Sequence, residues 1–228
     1  MELSGVIDVQ FPSDLNQSYI GIIQLPVGYI ILADINNKKC CLYDSLHNFI
    51  TSHILPGDPL GMCLIGDHEV AVTIPDTKTV QFLSIMGRSI GDRESIKAKY
   101  IPCGVDAVSR EEIVVSGHIG DKWYNKSKKF YWSLITRNGK VKLHHEFDCQ
   151  GTYSYAALDS SKSRVYIYVI GDNAVYCFDL TDGKQYFRYL SSELEFPLGL
   201  AVDREDNVFV VGHKSNNIHK LSTDGITL

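Results

Sequence analysis

The chain has 228 residues and a formal net charge of −5, with 44% hydrophobic and 21% charged residues. No apolar run reaches the roughly 18 residues that cross a bilayer, and an acidic balance argues against a uniformly basic protein that coats nucleic acid. The opening MELSGVIDVQF has neither a basic n-region nor a long apolar core, so no secretory leader is read there; a cytoplasmic location and no membrane partner are expected.

Taken in chain order, five segments share one plan. An inner strand comes first: GIIQL from Gly21, GMCLI from Gly61, GVDAV from Gly104, SYAAL from Ser154 and GLAVD from Gly199. After a tight turn a second apolar strand follows, starting at Tyr29, Glu69, Glu112, Arg164 and Asn207, which are 40, 43, 52 and 43 residues apart. A polar loop then leads to a third strand ending at Asp44, Ser84, Thr136, Asp179 and Ser222. Fourth strands are read in NFITSHI, SIKAKYI, VKLHHEF and KQYFRYL, the last two after RNGK and TDGK, whose Asn-Gly and Asp-Gly pairs favour hairpins.

Four short antiparallel strands recurring every 40-odd residues are the mark of propeller blades. The alternation has period 2 rather than 3.6, which excludes a helical solenoid. The expected fold is all-β, a single β-propeller domain of four-stranded antiparallel blades over residues 1–228. Blades begin near 20, 60, 103, 152 and 197, and residues 1–19 form a lead-in. Within it, Ser4 to Phe11 alternates like a strand that closes the ring. Either the ring closes with five blades or it is an incomplete six-bladed one; the stop at GITL, where an outer strand would begin, favours the second.

Cys40 and Cys41 are adjacent on a strand and face opposite ways. With Cys63, Cys103, Cys149 and Cys177 scattered among apolar residues, all six read as reduced thiols used as small hydrophobes. His144 and His145 are likewise adjacent, so they cannot share a metal. Asp203, Glu205 and Asp206 crowd one turn and suit backbone hydrogen bonding. No metal or cofactor is expected, since HExxH, GxSxG, Walker A and GxGxxG patterns are all absent.

The third repeat carries nine extra residues in its second-to-third-strand loop, read as Gly117 to Trp132 and expected to be the longest. It interleaves Lys122, Lys126, Lys128 and Lys129 with Trp123 and Tyr124. Trp and Tyr bury large area at low entropic cost, as in protein-binding hot spots. Lysines beside stacking rings also suit single-stranded nucleic acid, and a long hairpin whose rings simply pack on a neighbouring blade gives the same sequence. Lys38, Lys39 and Lys214 join the candidate surface from other loops. Asp58, Asp148, Glu193 and Glu195 on the same face make it mixed rather than basic.

The fifth repeat, FPLGLAVDREDNVFVVGHKSNNIHKLSTDG, resembles an NHL repeat: Pro-x-Gly opening the inner strand, an Asp-containing turn, an aliphatic strand, then Asn before a third strand and an Asp-Gly turn. The first repeat, QLPVGYIILADINNKKCCLYD, matches the same pattern; repeats two to four fit more loosely, with Ser154 where Gly is usual. The whole resembles the C-terminal propeller of tripartite-motif-like proteins. The resemblance implies a non-enzymatic, protein-binding substrate-recognition module, with any ubiquitin-ligase activity residing in a RING absent from this chain. RNA is a second partner class, as for some NHL propellers; DNA and a small-molecule substrate are not expected. A metal-dependent, lactonase-like hydrolase is the enzyme alternative, and for it the inner strands offer mainly Asp106 and Asp203.

Overall fold

The computed structural model describes residues 16–228. It contains five separate antiparallel sheets arranged as a β-propeller. Blade one is β1 (Tyr19–Gln24), β2 (Ile30–Asp34), β3 (Lys39–Tyr43) and β4 (Phe49–Ile54). Blade two is β5 (Met62–Ile65), β6 (Glu69–Ile74), β7 (Thr79–Met86) and β8 (Ser89–Lys97). Blade three is β9 (Ile101–Ala107), β10 (Glu112–His118), β11 (Ser127–Thr136) and β12 (Val141–Gly151). Blade four is β13 (Ser154–Leu158), β14 (Arg164–Val169), β15 (Ala174–Asp179) and β16 (Gln185–Leu190). Blade five is β17 (Pro197–Val202), β18 (Val208–Gly212) and β19 (Asn217–Leu221), and Thr227 bridges back to Leu221 where a fourth strand would pair. The closing strand expected at Ser4 to Phe11 lies outside the described residues.

The burial of each strand follows from its place in the blade. Every residue of β2 and β3 is buried, because a middle strand is covered by a neighbouring surface on both faces. Such strands read as unbroken apolar runs. Outer strands such as β4 and β16 expose alternate residues and alternate in sequence. Apolar clusters fill the four consecutive seams. Ile31, Leu42 and Val72 join blades one and two, and Phe82, Val105 and Val115 join two and three. Trp132, Ile167 and Phe178 join three and four; Tyr166, Val175 and Val210 join four and five.

At the hub the inner strands approach backbone to backbone. A Cβ on Gly61 would lie 2.4 Å from the Cys103 carbonyl oxygen, and one on Gly104 would lie 2.6 Å from the Ala156 nitrogen. Only glycine fits those two positions. Gly199 on β17 differs: within 4 Å its Cβ would meet only Val211 of its own blade. Between β17 and β1 the structure instead has an apolar cavity of about 550 Å³, walled by residues such as Ile20, Ile22, Tyr43, Leu198 and Leu200.

Two sequence expectations need correction. The outer strand of blade two starts at Ser89, so the segment SIKAKYI holds only its end, then a linker, then the first residue of β9. The loop in blade three runs over residues 119–126, eight residues against four in each of the other four blades. It is the longest, yet part of the insertion extends the hairpin: β10 and β11 pair from Glu112↔Thr136 out to His118↔Phe130. Lys128 and Lys129 therefore belong to strand β11, not to the loop.

Candidate aromatic site at the channel mouth

The β2–β3, β6–β7, β10–β11, β14–β15 and β18–β19 loops share one face of the propeller with the starts of the inner strands. The β10–β11 loop leans over the central channel there, and specific contacts hold it. Trp123 is half-buried; its Nε1–H donates to Asp76 Oδ1 at 3.0 Å, on the short 3₁₀ turn of blade two. Asp76 Oδ2 also accepts the Asp58 backbone N–H at 3.0 Å, so the carboxylate is fixed before it meets the indole.

Beneath the loop, His118 Nε2–H donates to the Trp123 carbonyl at 3.2 Å. That bond sets the tautomer and leaves Nδ1 without a partner among the described residues. Burial lowers the His118 pKa, which keeps the ring neutral. The Trp123 ring lies 5.7 Å from Tyr153 of blade four and meets Tyr124 edge-on at 5.5 Å. One hairpin tip thereby touches blades two, three and four.

Tyr124 is the exposed ring, at 53% of its full accessibility, with Lys122 Nζ 5.6 Å above it. Lys126 is exposed beside it, and Lys128 and Lys129 are exposed on β11. Among the described residues, the remaining candidate cations meet other groups. Lys38 reaches Asp58 at 3.5 Å, and Lys214 lies over the Phe196 ring at 4.9 Å. Lys39 is 7% exposed at the start of β3, paired across to Asp34, so it presents no charge to a partner. The second Trp of the segment, Trp132, is fully buried between blades three and four.

Below the loop a second cavity of about 470 Å³ opens into the channel, with walls from all five blades. Its rings are Tyr19, Trp123, Tyr153, Tyr155 and Tyr168, and it shares Tyr19, Tyr155 and Tyr168 with the cavity between β17 and β1. Sequence reasoning found Trp123 but not the four tyrosines or Asp76. Tyr153 and Tyr155, two apart at the head of an inner strand, are the only local hint.

The carboxylates named for hydrolysis are occupied elsewhere. Asp106 Oδ2 accepts the Leu158 N–H at 2.9 Å and so ties β9 to β13; burial raises its pKa. Asp203 closes its turn by accepting the N–H groups of Glu205 and Asn207, each at 2.9 Å, as the crowded turn suggested. His144 and His145 diverge as expected: His144 Nδ1 meets Ser133 Oγ at 2.8 Å, whereas His145 packs 5.0 Å from Phe178. Among the described residues no three His, Cys, Asp or Glu side chains gather where they could hold a metal.

No protein-family profile matches the chain, and no curated protein matches it in sequence. Its fold is similar to that of several solved propellers. Virginiamycin B lyase from Staphylococcus aureus superposes with a TM-score of 0.72 at 16% identity, over 92% of this chain and 68% of the lyase. A chain of the nidogen/laminin complex gives 0.66 at 14%, over 90% and 76%. The WD40 propeller of Doa1 gives 0.66 at 10% identity, over 86% of this chain and 61% of that domain. At these identities the likeness establishes the β-propeller fold and nothing finer.

Proposed function

We propose that this propeller is a non-enzymatic protein-binding module, of the NHL kind that tripartite-motif-like proteins carry at their C-terminus, acting in the cytoplasm. The observation that carries the reading is the β10–β11 hairpin. It holds Tyr124 exposed above a Trp123 that is fixed to blade two by its indole and to blade four by ring contact. A ring fixed in advance binds with little further loss of side-chain entropy, which is the property of interface anchors. The likeness to a chain of the nidogen/laminin complex agrees with a fold that serves interaction.

The lyase likeness supports an enzyme less well, because Asp106 and Asp203 are committed to backbone donors on different blades. RNA is disfavoured because Lys38, Lys39 and Lys214 are paired, buried or stacked away from Lys122 and Lys126.

The test compares Trp123→Ala plus Tyr124→Ala with Lys126→Glu plus Lys128→Glu against a captured partner at two salt concentrations. Protein binding predicts that the aromatic pair costs about 2 kcal/mol or more. The lysine pair should change mainly the association rate. If the lysine pair abolishes binding and the salt slope falls by about one per lost contact, the ligand is nucleic acid and the reading fails.

A further inference from the structure

The cavity beneath the hairpin has a chemistry of its own. Five of its wall residues are aromatic, and among the described residues none carries a formal charge. The rings are already placed: Tyr155 stacks on Tyr168 at 5.9 Å and 15°, and Trp123 lies against Tyr153. Burial pushes the Cys103 thiol and the Tyr155 phenol each up to about 12, so the wall stays neutral at physiological pH. A volume of about 470 Å³ admits one side chain with its backbone, not a folded element.

We propose that this pocket receives a single uncharged aromatic side chain from the protein partner. The inference rests on the protein-binding reading for the source of the ring. A lysine or carboxylate would lose its hydration with no counter-charge in the wall. An aliphatic side chain would fill the space but forgo the ring-to-ring contribution.

The pocket can be tested without any partner by titrating the N-acetyl amides of tyrosine, phenylalanine, leucine and lysine into the intact chain, followed by ligand-observed NMR. The tyrosine and phenylalanine amides should saturate, leucine should bind about fivefold more weakly, and lysine should not bind. Trp123→Ala should weaken both aromatic amides. Equal binding of leucine and phenylalanine, or binding of lysine, would each overturn the proposal. A captured partner released by Trp123→Ala plus Tyr124→Ala, together with amides that never saturate, would sink the pocket and spare the protein-binding reading. Saturating amides with an RNA-dependent salt slope would do the reverse.

Discussion

The indole nitrogen of Trp123, on blade three, lies 3.0 Å from a carboxylate oxygen of Asp76, on blade two. This bond crosses between two blades at the rim of the channel and decides where the hairpin tip points. Replacing Asp76 by Ala removes it along with the bond to the Asp58 N–H. The expected cost is about 1 kcal/mol in stability, a red shift in the emission of Trp123, and a weaker partner affinity. Trp132 is fully buried and should not shift. Chemical denaturation and fluorescence spectra check all three, and unchanged emission would mean that the hairpin holds its position by packing alone.

A second inter-blade link sits at the opposite end of the strands. Arg137, in the β11–β12 turn, reaches back to Glu69 with a fork of two bonds at 2.8 and 3.1 Å, also meets Glu94, and covers the Phe82 ring. Arg137→Ala should destabilise the chain by about 1–3 kcal/mol, as for other hydrogen-bonded charge pairs. The hydrogen bonds from Arg137 lower the pKa of both carboxylates below their ordinary 4.5. A depressed folded-state pKa gives stability that is complete above the ordinary, unfolded-state value and lost as the pH falls through the lowered one. The difference between wild type and Arg137→Ala should therefore be constant from pH 7 down to about 5 and shrink below that. Melting curves at a series of pH values measure it.

The repeats were legible because the middle strands of blades one to four are largely buried on both faces, so IILAD and RVYIYV read as continuous apolar runs at blade spacing. The insertion in blade three was visible as extra length, but its division between strand and loop was not. Lys128 and Lys129 precede Phe130, Tyr131 and Trp132, and the strand preference of that run draws the lysines into β11. Lys39 was placed on the surface because lysines usually are, whereas here the blade buries the start of β3. The mouth was illegible for a different reason. Tyr19, Trp123, Tyr153 and Tyr168 come from three blades, and only the arrangement of the blades around the channel brings them together.

Blade five presents apolar side chains to solvent. Val211 and Ile218 pair directly across β18 and β19 and are 42% and 65% exposed, with Leu198 nearby in chain order on β17 at 43%. Exposed apolar patches of this kind promote association. Val211→Lys together with Ile218→Lys should reduce self-association of the purified chain and change its stability by about 0.5 kcal/mol or less per site. Sedimentation velocity over a concentration series tests it; association that persists unchanged would place the sticky surface elsewhere.

The thiols give a chemical test of the packing. Five cysteines are buried and Cys149 is partly so. Burial pushes Cys40 and Cys103 each up to about 12 and raises Cys149 further. Only the thiolate reacts with iodoacetamide, so the native chain at pH 8 should label very slowly. All six cysteines should label in denaturant. Mass spectrometry reads the count, and rapid native labelling of Cys40 or Cys103 would contradict the seams described above.

The most direct measurement of the protein-binding account is site-specific photo-crosslinking in cells, with a benzophenone amino acid at Tyr124 and, as a control, at Tyr186. Both tyrosines are exposed, at 53% and 46%, but Tyr186 lies on the outer strand of blade four, away from the channel mouth. The expected result is a discrete protein adduct from position 124 that is absent from position 186 and is lost when Trp123 is replaced by Ala. Equal adducts at both positions, or adducts at 124 that disappear with ribonuclease, would contradict it.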